Sequence, residues 1–330
     1  MPGARAIRRR ALALLAIVPI RRYRPVTAAG DAGDADDSPP TLAIRLDLIL
    51  LETLNRVSFR KVTSGTSDVV VTMTTHGSRI KTVHLALESI ARGTRRPSRL
   101  ILWLDDETLA SNLPRSLRRL KRRGLEVVLV ENGYKVHTKY YFYVQSIQHH
   151  ARSLLTSDDD IVYPRRWLQA LEAAHAVTPD YVICYRAHSI QVAADGLALY
   201  DTWTPCSTSE PSFRTFGTSV SGQLFPAGFL DYVRSQGDSF KEITPDADDV
   251  WLHSLAVHSG VRVSQLGGSP ILFPFVPGTQ ASGLYLTNFW DGGNDRQIAK
   301  AYSASDVERI RSDDSRRGEP PEGYGGTPCE

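Results

Sequence analysis

Three consecutive aspartates, Asp158, Asp159 and Asp160, lie between two short apolar runs, 154–155 and 161–162. Adjacent carboxylates repel one another unless a positive charge lies among them. If the preceding strand continues through the triplet, Asp158 and Asp160 point to one face and Asp159 to the other, because strand side chains alternate. Two carboxylates on one face suit Mg²⁺ or Mn²⁺, which prefer oxygen ligands. Acidic triplets also occur in solvated turns, but the apolar flanks favour a metal site here.

A second acidic group, Asp246, Asp248 and Asp249, begins a predicted helix that contains His253. A carboxylate at a helix start caps free N–H groups and complements the helix dipole, and one aspartate is enough for that. The additional aspartates therefore suggest a second role. His253 follows Asp249 by four residues, on the same helical face, and is either a metal ligand or an ordinary packed histidine.

Alternating strand and helix patterns must position both groups. Apolar runs at 69–71, 100–104, 125–130 and 154–155 predict strands, and segments with helical spacing separate them. This order predicts an α/β fold with a mostly parallel, Rossmann-like sheet that helices cover on both faces. Ligands of such sheets bind at the carboxyl ends of the strands. Polar groups follow three strand ends: Thr74, Thr75 and His76; Asp105 and Asp106; and the aspartate triplet. We expect these groups to form one site.

Composition predicts the boundaries of the domain. Residues 1–40 are predicted to be a basic tail and linker, and 41–65 a docking helix. Residues 66–305 form one large domain, and 306–330 form a disordered tail rich in Gly, Pro and charge. The docking helix has an apolar stripe at 42, 46, 49, 50 and 54. The stripe packs on the body or, alternatively, contacts a membrane surface.

Charge is distributed unevenly along the chain. Residues 1–24 hold seven arginines and no acid, which leaves 32 basic and 36 acidic residues in the rest of the 330-residue chain. A slightly acidic body argues against nucleic acid as the main partner. The three cysteines have neither metal-site nor disulfide-framework spacing, which favours a reducing, cytoplasmic location.

The N-terminal arginines surround one apolar run, 11–20, which is shorter than the roughly 20 residues that a membrane-spanning helix needs. Three interpretations stay open: a signal peptide, a segment that contacts anionic lipid at the cytoplasmic face, and a disordered or mis-started tail. Arginines directly after the run disfavour the signal peptide. Near the other end, residues 288–295 are either a mobile flap or a surface turn.

Three motifs together resemble those of GT-A-fold glycosyltransferases that use nucleotide sugars, in particular bacterial enzymes of surface-polysaccharide synthesis. They are the loop 74–79 after the first strand, Lys139-Tyr140-Tyr141 leading to the aspartate triplet, and Ala247-Asp248-Asp249-Val250-Trp251. The triplet is similar to the family's Asp-x-Asp metal motif. The last segment is similar to the one that supplies the catalytic base of inverting members.

The resemblance implies transfer of one sugar from a nucleoside-diphosphate sugar to a hydroxyl of a glycan or lipid-linked acceptor, with inversion favoured over retention. Residues 66–165 become the nucleotide-sugar half and 166–305 the acceptor half. It also implies Mn²⁺ or Mg²⁺ as cofactor, and Asp249 or Asp248 as the base. Its candidate metal ligands are Asp158, Asp160 and His253. Its candidate donor-binding residues are Thr74, Thr75, Arg79, Asp105, Asp106, Lys139, Asp158, Asp159 and Gly222. Lys139 either meets phosphate or is an exposed charge at a helix start.

Two departures from the family pattern and two rival functions qualify this interpretation. This sequence has Asp248-Asp249 where many family members have Glu-Asp. The sequence therefore leaves open which of the two aspartates is the catalytic base. Long hydrophobic spans of processive synthases are missing, which implies single-sugar transfer.

A sugar-phosphate nucleotidyltransferase would share the sheet and the metal, but it normally has a Gly-rich basic loop after its first strand, and this loop has one Gly. A catalytically inactive nucleotide-sugar or carbohydrate-binding protein is the other rival, and both intact acidic motifs argue against it.

Overall fold

Short runs rich in Val, Leu and Ile form the central sheet of the computed structural model, which describes residues 41–279 and 292–315. Within these residues, seven strands pair in the order β10-β5-β9-β4-β1-β2-β3, and three more form a small sheet in the order β7-β6-β8. Only β9 runs antiparallel to its neighbours in the large sheet. The strands are β1 (Val69–Thr74), β2 (Arg99–Leu104), β3 (Leu125–Leu129), β4 (Ser153–Thr156), β5 (Val182–Cys184), β6 (Ala187–Ser189), β7 (Thr204–Pro205), β8 (Thr215–Gly217), β9 (Gln223–Phe225) and β10 (Val263–Gln265).

Helices cover both faces of the large sheet, as the alternating pattern predicts. Alternate residues of each strand point to opposite faces of the large sheet and pack into two separate cores. One core lies between the sheet and α2, α4 and α6, and the other lies between the sheet and α5, α7 and α9. The helices are α1 (Leu42–Val57), α2 (Val83–Ala91), α3 (Glu107–Ser111), α4 (Arg115–Arg122), α5 (Thr138–Gln145), α6 (Trp167–His175), α7 (Ala227–Ser235), α8 (Phe240–Ile243), α9 (Asp248–Ser259), α10 (Gly293–Ala301) and α11 (Ala304–Ser315). The predicted α/β class with a mostly parallel sheet is confirmed.

The segment between β5 and α9 is more regular than its Ser, Thr, Pro and Gly content indicated. It contains the small sheet, the helix α7 and the strand β9. Strands of two or three residues leave no measurable periodicity in a sequence, which is why the pattern did not indicate them. β9 matters most, because it inserts between β4 and β5 and places residue 223 beside the carboxyl end of β4.

The predicted boundary of a disordered tail at residue 306 is wrong. Helix α11 extends to Ser315, Ile310 is fully buried, and Asp313 accepts hydrogen bonds from the Ser212 hydroxyl at 2.7 Å and the Phe213 N–H at 2.8 Å. The burial of Ile310 and the hydrogen bonds of Asp313 hold α11 on the body of the domain, although the polar composition of this segment indicated disorder. The predicted tails at 1–40 and 316–330, and residues 288–291 of the predicted flap, lie outside the described residues.

Helix α1 docks on the body, but through a different face from the predicted one. Leu51 is fully buried, and Asn55 donates to Glu88 at 3.0 Å. The stripe at 42, 46, 49 and 50 points to solvent instead. The polar Asn55 takes part in the packing because its amide donates to Glu88 and the Ser116 carbonyl and accepts from Arg119, and these contacts outweigh apolar periodicity. No helix among the described residues is both long and apolar enough to cross a bilayer.

Candidate active site

The aspartate triplet lies in a turn just beyond β4. The strand ends at Thr156, so the alternation of strand side chains no longer applies at residues 158–160. The prediction that Asp158 and Asp160 share one face, opposite Asp159, is therefore wrong. Asp159 and Asp160 instead contact the same guanidinium, whereas Asp158 contacts a different cation.

Arg79 neutralises two of the three carboxylates. It lies in the short 3₁₀ turn that follows β1, and its Nη1 is 2.8 Å from Asp159 Oδ1 and 2.9 Å from Asp160 Oδ2. The Thr75 hydroxyl donates to Asp159 Oδ2 at 2.6 Å. Arg79 Nη2 donates to the Thr279 carbonyl at 2.8 Å. These bonds fix the end of β1 and the acidic turn against one another at the carboxyl edge of the sheet.

Lys139 joins the two acidic motifs. It stands in the first turn of α5, and its Nζ is 3.0 Å from Asp158 Oδ1 and 3.1 Å from Asp248 Oδ2. The side chain is 7% exposed, so the interpretation as an exposed helix-start charge is wrong. Burial opposes the charge, but Asp158 and Asp248 outweigh it and raise the pKa of Lys139. The ammonium thus stays protonated between carboxylates that are 90 residues apart in the chain.

Asp249 occupies a partly buried position at the start of α9. It accepts hydrogen bonds from the Ser219 N–H at 2.8 Å, the Ser219 hydroxyl at 2.5 Å and the Gln223 side-chain amide at 3.0 Å. Burial and the neighbouring charge of Asp248 raise the pKa of Asp249 to about 7, against the opposing effect of Lys139. A carboxylate with a pKa near neutrality is suited to accept and release a proton at physiological pH.

The charge of the cluster fits a divalent cation. The two side-chain cations Arg79 and Lys139 face five aspartates, which leaves an excess of two negative charges when Asp249 is protonated and three when it is not. The aspartates are Asp158, Asp159, Asp160, Asp248 and Asp249. In the described part of the chain, no three His, Cys, Asp or Glu side chains form a preassembled metal cage. An ion here would draw further ligands from water and phosphate, as Mg²⁺ and Mn²⁺ do.

A strained turn places the groups that hold Asp249. Ser221 and Gly222 both have positive φ, 75° and 103°, and the Ser221 carbonyl accepts from Trp167 Nε1 at 2.7 Å. A Cβ on Gly222 would lie 2.8 Å from the Trp167 ring. Gly222 was predicted as a donor-binding residue, and in the structure the group that approaches it is the indole of Trp167. The turn leads directly into Gln223 and β9.

Among the described residues, the contacts of three predicted donor-binding residues go to neighbouring strands and loops rather than to the charged cluster. The Thr74 hydroxyl donates to the Trp103 carbonyl at 3.4 Å, and Asp105 packs on the bare Cα of Gly133. Asp106 caps α3 by accepting from the Leu109 N–H at 3.0 Å. All three follow the ends of β1 and β2, at the predicted edge of the sheet.

His253 lies among aromatic side chains. Its Nδ1 is 2.7 Å from the Tyr302 hydroxyl, and its ring packs on Phe216 at 5.2 Å between centroids. Burial lowers the pKa of His253 to about 4, so the ring is neutral. These contacts do not join His253 to the aspartate triplet, so its role as a metal ligand stays a prediction. The sequence argument used helical spacing alone, and α9 turns Asp249 toward Ser219 while it buries His253 in the core.

Sequence reasoning missed four residues that support the cluster. Ser219 and Gln223 hold Asp249, Tyr163 accepts from the Asp158 N–H at 2.8 Å, and Thr279 binds Arg79. Gln223 is the first residue of β9, and because the sequence pattern did not indicate this strand, its need for a polar partner gave no usable signal. The others depend on contacts between distant parts of the chain.

No protein-family model and no curated protein matches this sequence. Solved structures do match, among them the mannosyltransferase PcManGT from Pyrobaculum calidifontis in complex with GDP-Man and Mn²⁺, at 12% identity and a TM-score of 0.47, over 82% of this chain and 77% of that one. GalNAc-T7 with UDP, GalNAc and Mn²⁺ matches at 12% identity and a TM-score of 0.45, over 88% and 67%. TarS 1–349 from S. aureus matches at 13% identity and a TM-score of 0.40, over 62% of this chain and 59% of that one, which is less than two thirds of its length. With TM-scores below 0.5, these similarities decide neither the reaction nor the substrate.

Proposed function

We propose that this chain is a GT-A-type glycosyltransferase that moves one sugar from a nucleoside-diphosphate sugar to a hydroxyl of a glycan or glycolipid acceptor. The observation that carries the proposal is the Lys139 bridge, 3.0 Å to Asp158 and 3.1 Å to Asp248. The bridge joins an acidic turn to a carboxylate pair. The turn is suited to hold a metal and a diphosphate, and the pair is suited to proton transfer. Both lie at the carboxyl edge of a parallel sheet, where ligands of such folds bind.

The acidic turn supports the donor side of the proposal. Asp158 and Asp160 are the proposed ligands of Mn²⁺ or Mg²⁺, which when bound would stabilise the negative charge of the departing nucleoside diphosphate. Asp158 has the most exposed side chain of the triplet, and a diphosphate that contacts Lys139 would compete with it for the ammonium. Arg79 and Thr75 hold the turn from behind and keep its carboxylates in place.

Asp249 is the proposed general base. Of the two aspartates that the sequence left open, Asp248 is buried and paired with Lys139, so its charge is already engaged. Asp249 is more exposed, and its pKa of about 7 lets it take a proton from an acceptor hydroxyl. Ser219 and Gln223 orient it through three hydrogen bonds. A base on the opposite side of the cluster from the donor turn is expected for inversion, and inversion is part of the proposal.

The test is a screen of nucleotide sugars with Mn²⁺, in which release of nucleoside diphosphate is measured for the wild type and for Asp160→Ala. The proposal expects turnover that a chelator abolishes, and a loss of at least a hundredfold in Asp160→Ala. A matched control is Asp201→Ala, since Asp201 is an exposed aspartate in a short 3₁₀ turn. Turnover that is indifferent to both chelator and Asp160→Ala would contradict the proposal.

The same assay separates the rival functions. A nucleotidyltransferase would consume a nucleoside triphosphate and a sugar phosphate and release pyrophosphate, whereas a glycosyltransferase releases nucleoside diphosphate. A binding protein would take up the donor without turnover, equally in the wild type and in Asp249→Asn. The surface-polysaccharide role and the cytoplasmic location stay predictions, and fractionation of cells that produce the protein tests the location.

A further inference from the structure

Helix α1 presents an apolar stripe to solvent, interrupted only by Thr53, whose hydroxyl donates to the Ile49 carbonyl at 2.8 Å. Of eight large hydrophobic side chains that are exposed in the described residues, six lie on α1 or directly after it. They are Leu42, Leu46, Ile49, Leu50, Val57 and Phe59. At 100° per residue, the five helical members fall within an arc of about 100°, opposite the buried Leu51. Ile49 is 63% exposed and Phe59 95%, so the body leaves this stripe uncovered.

The acidic residues of α1 are turned away from the stripe. Asp47 pairs with Arg92 at 3.2 Å, and Glu52 pairs with His84 at 2.9 Å, so both carboxylates are held by α2. The exposed Arg45 and Arg56 border one edge of the stripe, and Arg56 also lies 3.6 Å from the carboxylate of Glu52. An amphipathic helix with an apolar face and basic flanks is suited to lie on a membrane surface.

A basic groove borders the same helix. Arg115, Arg118, Arg119 and Arg122 of α4 line a cavity of about 470 Å³. Arg119 Nη1 donates to Asn55 of α1 at 3.2 Å, which places the groove beside α1. In the part of the chain that the structure describes, no carboxylate pairs with the groove arginines. Guanidinium groups bind phosphate oxygens through paired N–H donors.

From these observations we propose that α1 and the α4 groove form a docking surface for an anionic lipid bilayer. The stripe enters the boundary between headgroups and acyl chains, and the groove binds lipid phosphates. A bilayer combines an apolar layer with surface phosphates, which matches an apolar stripe next to four arginines. The proposal is independent of the glycosyl-transfer reaction.

Charge disfavours two other occupants of the stripe. Residues 1–24 of this chain carry seven arginines and no acid, so the groove would repel them. A second copy packed across a two-fold axis would bring the arginine groove near its own counterpart, again with like charges. An anionic surface meets neither obstacle.

The experiment is flotation of the full chain with two kinds of vesicle. One kind contains phosphatidylcholine alone, and the other contains phosphatidylcholine with about 30 mol% of the anionic lipid phosphatidylglycerol. The wild type is expected to bind only the anionic vesicles, more weakly as salt rises. Leu46→Ser with Ile49→Ser is expected to lower the partition coefficient on the order of tenfold. Leu42→Ser with Val57→Ser repeats the test at the two ends of the stripe. The matched control is Leu199→Ser, which removes an exposed leucine in another part of the fold.

The groove has its own charge-matched test. Arg115→Gln, Arg118→Gln and Arg122→Gln together are expected to lower binding on the order of a hundredfold, since each surface arginine contributes about fivefold. The control removes three exposed positive charges elsewhere, at Arg165, Lys241 and Lys300, and is expected to stay within about threefold of the wild type, through net charge alone.

Three outcomes would overturn the proposal. One is equal binding to neutral and anionic vesicles, or binding to neither. Another is anionic binding that both stripe variants and the groove variant leave unchanged, which would assign it to the N-terminal arginines. The third is a wild-type dimer in light scattering that the stripe variants convert to monomer, which would make the stripe an interface between copies.

Discussion

At the scale of single residues, Asp249 gives the most direct chemical prediction. Asp249→Asn is expected to lower kcat by about 10² to 10⁴, because the amide cannot take the acceptor proton. Nucleotide affinity should change little, since the hydrogen bonds of Asp249 go to Ser219 and Gln223 rather than to the donor turn. Steady-state kinetics and nucleotide titration check the two parts. Asp246→Asn, which changes a partly exposed pair with Lys135, serves as the control.

The pH profile tests the same residue independently. The base must be deprotonated, so kcat/KM should rise with pH through a midpoint near the Asp249 pKa of about 7. Asp248 raises that pKa, so Asp248→Asn should move the midpoint to lower pH. A midpoint that stays in place in Asp248→Asn would show that another group governs the profile.

Lys139 has a predicted effect on both stability and pH dependence. Lys139→Met leaves the buried Asp248 and the partly buried Asp158 without their cation, and the expected loss is about 3 to 5 kcal/mol in the free energy of unfolding. The variant should also raise the pKa of Asp249, because Lys139 lowers it. Denaturant titration measures the first effect. The control is Lys135→Met, whose partner pair is largely exposed and should contribute about 1 kcal/mol or less.

At the scale of elements, the turn before β9 positions Ser219 and Gln223, which donate hydrogen bonds to Asp249. Gly222→Ala should destabilise the fold by roughly 1 to 3 kcal/mol, because the left-handed φ disfavours a side chain and the new Cβ would meet Trp167 at 2.8 Å. Gly228→Ala is a matched control in α7, where a Cβ meets nothing within 4 Å and should stabilise by about 0.5 to 1 kcal/mol. Thermal unfolding of both variants measures this difference, and equal effects would contradict the role of the turn.

At the scale of the whole molecule, two buried histidines and Asp249 have opposite effects on the free energy of unfolding at acid pH. Burial lowers the pKa of His137 and His253 to about 4 from a usual 6.5, so the unfolded chain binds more protons and stability falls as pH drops from 6.5 to 4. Asp249 acts in the opposite sense, because its folded-state pKa of about 7 lies above the usual 3.8. In this window its carboxyl is protonated in the fold, so lower pH favours the fold.

Removing Asp249 should therefore steepen the acid loss of stability. Between pH 4 and 6.5, Asp249→Asn is expected to add about 1.4 kcal/mol per pH unit to the slope of the free energy of unfolding. Urea titrations at several pH values measure that slope. Asp195→Asn, at an exposed aspartate, should leave it unchanged. Parallel slopes for the wild type and Asp249→Asn would contradict a raised pKa in the fold.

The sequence by itself determined the α/β class, the succession of strands and helices along the chain up to β4, and both acidic motifs, because long apolar runs and charge clusters are local signals. Only the tertiary structure decided that the triplet lies in a turn, that Lys139 connects it to Asp248, and that His253 faces the core. It also decided that the apolar stripe of α1 stays exposed while Asn55 packs inside. Each of these results depends on which partner is nearest in space, and burial and charge pairing between distant segments leave no periodic trace in the chain.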